Sequence, residues 1–190
     1  IRSEYFELQQ DTEDWFAKLG HKWQQLIVAD IDIESPTYTN IKTLSAARGY
    51  SVLQRDVSTA YGIDTVGVFA DYLSTLSQSA RARLFNKRKK LEQLGVLAIN
   101  NIWPDIDRFI DLLNGFHQER WSKPCYQNEN LDFIKRFLST VVGQGAKVNL
   151  SVMTLDDQPI SLLLDVEYQG RVYNFQAGFV EKLSNNIALG

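Results

Sequence analysis

The sequence predicts a mixed α/β domain of the α+β kind, an antiparallel meander packed with helices. Three observations predict it. Apolar residues recur at helical spacing along most of the chain, three short alternating strands follow one another near its end, and turn residues separate those strands. A chain of 190 residues can form one large domain or two small lobes, with a core that needs no staples. The hydrophobic share of 44% and charged share of 23% are those of a globular protein and set aside the disordered, collagenous and membrane classes. No apolar run approaches the roughly 20 residues of a membrane helix, so membrane insertion is not expected. A net charge of −3 gives no overall attraction for nucleic acid. The single cysteine, Cys125, forms no internal disulfide and favours a reducing compartment; a cytoplasmic location is expected.

The elements follow in order. Trp15, Phe16, Leu19, Trp23 and Leu26 stand at helical spacing behind the cap candidates Asp11 and Thr12. Leu26 to Ile31 reads as a short strand. Ser35-Pro36 starts a helix, since proline at the first helical position gives up no needed hydrogen bond, and Gly49 ends it with a left-handed cap. Tyr50 to Leu53 reads as a second short strand, and 57–67 crosses the surface. Val68, Tyr72, Leu73 and Leu76 mark a short helix. Ser77 caps a longer one that closes at Gly95, and Val96 to Ile99 is a strand. Pro104 opens a helix with Ile106, Phe109, Ile110, Leu113 and Phe116 on one stripe. Asn130, Leu131, Ile134, Phe137, Leu138 and Val141 mark the next, which ends at Gly143 or Gly145.

Lys147 to Thr154, Ile160 to Tyr168 and Arg171 to Gly178 read as three strands, joined by a longer turn over 155–159 and a two-residue turn at Gln169-Gly170. Pairing Tyr168 with Arg171 sets Val166 opposite Tyr173, Leu164 opposite Phe175 and Leu162 opposite Ala177. Pairing Thr154 with Ile160 adds Val152, Leu150 and Val148 to the same apolar face. A slip of one residue scatters that row over both sides. The other face then collects Lys147, Asn149, Asp165, Glu167, Asn174 and Gln176, with Lys147 beside Glu167.

The order of elements carries a resemblance. A basic helix (Arg81-Ala82-Arg83-Leu84-Phe85-Asn86-Lys87-Arg88-Lys89-Lys90-Leu91) comes first, then a helix ending His117-Gln118-Glu119-Arg120-Trp121. The meander follows, with Asp157-Gln158-Pro159-Ile160 in its first turn and Tyr173-Asn174-Phe175-Gln176-Ala177-Gly178-Phe179 in its last strand. From about Asp64 to Gly190, and more faintly from Trp23, the chain resembles the CelD/BcsL-type acetyltransferases of cellulose biosynthesis, a FemABX-related branch of the GNAT superfamily. The resemblance implies a GNAT-like (acyl-CoA N-acyltransferase) architecture, with residues 1–76 an N-terminal GNAT-like lobe and 77–190 the start of a C-terminal acyltransferase domain. Both ends read as cuts through a longer chain, so an incomplete domain is expected.

It also implies acetyl-CoA or another acyl-CoA as cosubstrate, and direct transfer to an amine or hydroxyl of a polysaccharide or cell-envelope precursor. The last meander strand, at Gln176, Ala177 and Gly178, offers backbone groups to the pantetheine arm, and the following loop binds the pyrophosphate. That loop is Ser184-Asn185-Asn186 here, where the superfamily has Gln/Arg-x-x-Gly-x-Gly/Ala. Asparagine tolerates the left-handed backbone such a turn needs.

Each candidate has a plainer reading beside it. His117, at the edge of its apolar stripe, could deprotonate the acceptor, its reference pKa of about 6.5 lying close to working pH; the plainer reading is a boundary histidine bonded to a carbonyl. Arg120 could hold an anionic acceptor or phosphate; otherwise it pairs with a carboxylate. Trp121 is a substrate platform or a core or lid residue. Asp165 or Glu167 is a second candidate base and Asn174 a substrate contact, against a solvated sheet face, which is the reading for Glu167 because Lys147 pairs with it. Cys125 lacks a neighbouring histidine and is weak evidence for a nucleophile. His21, His117 and Cys125 have no metal-ligand spacing, and no metal is expected. The basic run could attract phosphates, but its charges surround the helix and no aromatic ladder accompanies them; nucleic acid ranks last among partners. A GNAT-like module without activity, serving as a binding scaffold, is the rival to the transferase.

Overall fold

A computed structural model describes residues 24–28, 31–55, 57, 59, 61–181, 183 and 189. The helix expected over 15–26 falls largely outside them. The chain divides into two compact units, Ile1–Asp64 and Thr65–Gly190.

In the first unit, helix α1 spans Pro36–Ala47, and the Ser35 hydroxyl accepts from the Tyr38 N–H at 3.2 Å. Gly49 follows with φ 73°, the left-handed geometry expected of it. The two short strands expected here are absent among the described residues: 50–53 and the described part of 26–31 are irregular. A strand exists only as part of a ladder, and the described residues of this unit form none.

The second unit runs α2 (Phe69–Thr75), α3 (Gln78–Glu92), β1 (Leu97–Asn101), α4 (Ile106–Trp121), α5 (Glu129–Gly143), β2 (Lys147–Leu155), β3 (Gln158–Tyr168) and β4 (Arg171–Phe179). Helices, then a meander, is the α+β order the sequence predicts. Ser77 caps α3 through the Ala80 N–H. The cap of α4 is Asp105, which accepts from the Arg108 N–H at 3.2 Å, so Pro104 lies just before the helix instead of opening it. Proline has no N–H to offer and no side-chain acceptor, and the carboxylate takes the capping position.

The sheet is antiparallel throughout, in the order β1-β2-β3-β4, which leaves β4 at one edge among the described residues. One face is dry. Phe109, Ile110 and Leu113 of α4 and Ile134 and Leu138 of α5 pack onto Val148, Leu150, Val152, Leu162, Leu164 and Val166. A smaller cluster holds α3 through Leu91, with Ile160 and the partly buried Leu97, Met153 and Leu155.

The register matches the expectation from Lys147↔Glu167 to Val152↔Leu162 and from Tyr168↔Arg171 to Asp165↔Asn174. It then departs twice. Between Met153 and Thr154 the pairing shifts, so Thr154 faces Pro159 instead of Ile160. The turn there is two residues long, Asp156 and Asp157, both left-handed at φ 48° and 65°; this geometry suits the twist of a tight hairpin and needs no longer loop. The second shift lies between Leu164 and Asp165, where Phe175 is inserted as an extra residue, so Leu164 faces Gln176, Leu163 faces Ala177 and Leu162 faces Gly178. The expected pairs Leu164–Phe175 and Leu162–Ala177 do not form. A bulge reverses which face the following side chains take.

Candidate functional site

That bulge builds the site. Past Phe175 the Gln176 side chain and the Cα hydrogen side of Gly178 turn to the helix-covered face, where a continuous strand would put Ala177. Gln176 therefore leaves the polar face assigned to it and donates from Nε2 to the Cys125 thiol at 2.9 Å. Gly178 sits under α4: a Cβ there would lie 2.7 Å from Leu113 Cδ1 and 3.4 Å from Phe116 Cδ2. Only glycine lets the helix come this close to the strand edge.

The close approach brings the last turn of α4 against the end of β4. His117, Arg120 and Trp121 line a small depression with Ala177, Gly178 and Phe179. Three helix residues and two strand residues picked from sequence are thus gathered in one place. His117 Nε2 lies 3.2 Å from the Ala177 carbonyl oxygen. A carbonyl can only accept, so Nε2 carries the proton; in the neutral ring Nδ1 keeps the lone pair. The Trp121 ring stands 4.4 Å from the imidazole. The guanidinium of Arg120 lies between two aromatic faces, 4.6 Å from Trp121 and 4.8 Å from Phe179. The two rings hold the guanidinium charge in place by cation–π attraction, and its N–H donors can serve an anion. Trp121 is half exposed, at 49%, so it is a wall of the depression and not a core residue.

Asp165 and Asn174 lie apart from this group. They face each other across β3 and β4 on the opposite sheet face, where Asn174 donates to Asp165 at 2.8 Å. Lys147 and Glu167 form the expected pair beside them at 2.9 Å. Ser184, Asn185 and Asn186 lie outside the described residues. Among the described residues no group of three His, Cys, Asp or Glu could hold a metal, and no helix is long and apolar enough to cross a membrane. On the basic helix, Arg81 reaches the Leu73 and Ser74 carbonyls at the end of α2, and Arg88 pairs with Glu92.

Sequence reasoning missed three participants. Phe179 shares the Arg120 sandwich, Cys125 anchors Gln176, and Phe175 makes the bulge. Gly178 was the available signal, because a glycine inside a strand marks a bulge or a close approach.

Cys125 is set beneath Gln176 by the loop between α4 and α5. Asn114 pins that loop by donating to the Tyr126 carbonyl and accepting from the Tyr126 N–H, both at 2.9 Å. Burial pushes the Cys125 thiol up, and the bond from Gln176 works against it. Burial and the nearby thiol push the Tyr126 phenol up as well.

A strand, two helices and a three-stranded meander, with β4 at the sheet's edge among the described residues, make up the core beside the depression. A family model described as an acetyltransferase (GNAT) domain matches residues 78–187. The match spans more than half of the chain, and the chain belongs to that family. No curated protein and no solved structure matches it. GNAT domains use acetyl-CoA, and the family implies a small-molecule acceptor.

Proposed function

We propose that the chain carries the core of a cytoplasmic acyltransferase of the CelD/BcsL type. It would move an acetyl group from acetyl-CoA to an amine or hydroxyl of a polysaccharide or cell-envelope precursor. In this reading residues 1–76 are an N-terminal GNAT-like lobe and 77–190 the start of the acyltransferase domain. The observation that carries the reading is the edge position of β4 beside the depression lined by His117, Arg120 and Trp121. An edge strand offers unpaired backbone groups to an extended amide-bearing chain such as pantetheine. The donor then lies along Gln176, Ala177 and Gly178, where the small residues let it approach, with Ser184, Asn185 and Asn186 as the phosphate-side contacts.

His117 serves as the base. The acceptor nitrogen or oxygen attacks the thioester carbonyl, and its proton passes to the imidazole lone pair. The tetrahedral centre then expels the thiolate, which takes up a proton, leaving an amide or ester and free CoA. Arg120 holds an anionic group of the acceptor against its two aromatic faces, and Trp121 forms a wall for the acceptor. Asp165 and its partner Asn174 would serve an acceptor approaching the far face of the sheet.

Calorimetry with acetyl-CoA tests the reading first; absence of binding at millimolar ligand by the folded protein contradicts it. With an acceptor in hand, we expect His117→Ala to lower kcat by about a hundredfold or more, the usual worth of a positioned base. Asp165→Asn is expected to leave kcat within a few fold. The reverse pattern moves the chemistry to the other face.

A second reading, a GNAT-like binding scaffold without activity, is favoured by one feature. The backbone of Ala177 is already satisfied by side chains of the protein itself.

A further inference from the structure

Along an antiparallel edge strand, alternate residues turn both backbone groups outward. The Val180 N–H bonds inward to the Ile160 carbonyl at 2.9 Å. Counting back by alternation, Gly178 also faces β3, while Ala177 and Phe179 present their N–H and C=O groups to the open side. Those of Ala177 are not free. Its N–H donates to Gln176 Oε1 at 3.2 Å, and its carbonyl accepts from His117 Nε2 at 3.2 Å. An amide of an incoming extended ligand would form the same two bonds.

We propose that Gln176 and His117 form a gate over the donor groove, two side-chain caps that occupy its backbone docking groups and swing aside when the pantetheine arm binds. This rests on the donor-site reading above. Capping an open edge is a general defence against unwanted strand pairing, but here the caps fall on the residue bordering the depression. They also belong to different elements. Gln176 is tied to Cys125 in the α4–α5 loop, whereas His117 belongs to α4 and stands against Trp121. Phe179, the next outward-facing residue, carries no such cap among the described residues, so the arm can engage there before it displaces the caps at Ala177. Freed from Ala177, the His117 ring can rotate and turn its Nδ1 lone pair, the proposed base, to the groove, which couples donor binding to presentation of that base.

The gate makes a prediction opposite to that of ordinary ligand contacts. Truncating a residue that touches a ligand weakens binding; truncating one that competes with it strengthens binding. Calorimetric titration of acetyl-CoA into wild type, Gln176→Leu and His117→Ala reads the difference, with circular dichroism confirming that each protein is folded. We expect both variants to bind about two- to tenfold more tightly, the worth of one hydrogen bond no longer displaced. Binding by wild type with neither variant tighter overturns the gate and leaves the donor site standing. Absence of binding by all three proteins overturns the donor site and the gate with it.

Discussion

At the scale of single residues, Cys125 and Gly178 give the most direct tests of the packing around the site. Burial holds the Cys125 thiol above its ordinary pKa despite the hydrogen bond from Gln176. The folded chain therefore keeps this proton at pH values where the unfolded chain has lost it. The resulting stability is present below the unfolded-state pKa and disappears as pH rises through the folded one. The thiolate is the reactive form, so at about pH 8 we expect Cys125 to react with a thiol reagent more slowly than a free cysteine, whose pKa is about 8.5. A rate equal to that of free cysteine would contradict the half-buried, bonded thiol. At Gly178 an added methyl must displace Leu113, which is fully buried. We expect Gly178→Ala to cost about 1–3 kcal/mol, the usual penalty for overpacking, and to move the end of α4 away from β4. Urea unfolding measures the first effect.

At the scale of elements, short side-chain links fix where helices and strands end. The Asn101 side chain accepts from the Leu150 N–H and the Trp103 N–H, both at 3.0 Å, where β1 leaves the sheet. Asn114 does the same for the loop that carries Cys125. Replacing Asn114 by alanine removes two hydrogen bonds and leaves partly buried backbone groups without them. We expect a loss of about 1–3 kcal/mol and faster alkylation of Cys125, read by unfolding and by thiol kinetics. These links also mark how far the elements could be read from sequence. Strict alternation located the meander and its register as far as Val152 and from Asp165 to Asn174, because a buried face punishes any slip. Alternation is blind to an extra residue, and Tyr173-Asn174-Phe175-Gln176 reads as smooth whether or not Phe175 bulges. Phe175 can leave the ladder because its ring meets Phe137 of α5 at 5.2 Å, a tertiary contact invisible in a local pattern. The placement of Gln176 was lost with it, whereas His117, Arg120 and Trp121 were legible because a single helix end carries all three. The first unit was read less well, since short apolar runs such as Tyr50 to Leu53 carry no information about whether a partner exists.

At the scale of the whole molecule, the second unit is held by one dry layer between two helices and a four-stranded sheet. Leu138 of α5 and Leu164 of β3, both fully buried, belong to this one layer. We expect Leu138→Ala to cost about 2–5 kcal/mol, measured by the same unfolding experiment. The layer keeps α4 on the end of β4, so it also positions every residue of the depression. The account comes down to whether the open edge of β4 receives the donor. Following backbone amide resonances of the isotope-labelled protein during titration with acetyl-CoA reads this residue by residue. The largest shifts should fall on Ala177, Gly178 and Phe179, with smaller ones at His117 and Gln176. Shifts confined to the basic helix α3, with β4 unmoved at saturating ligand, would contradict it.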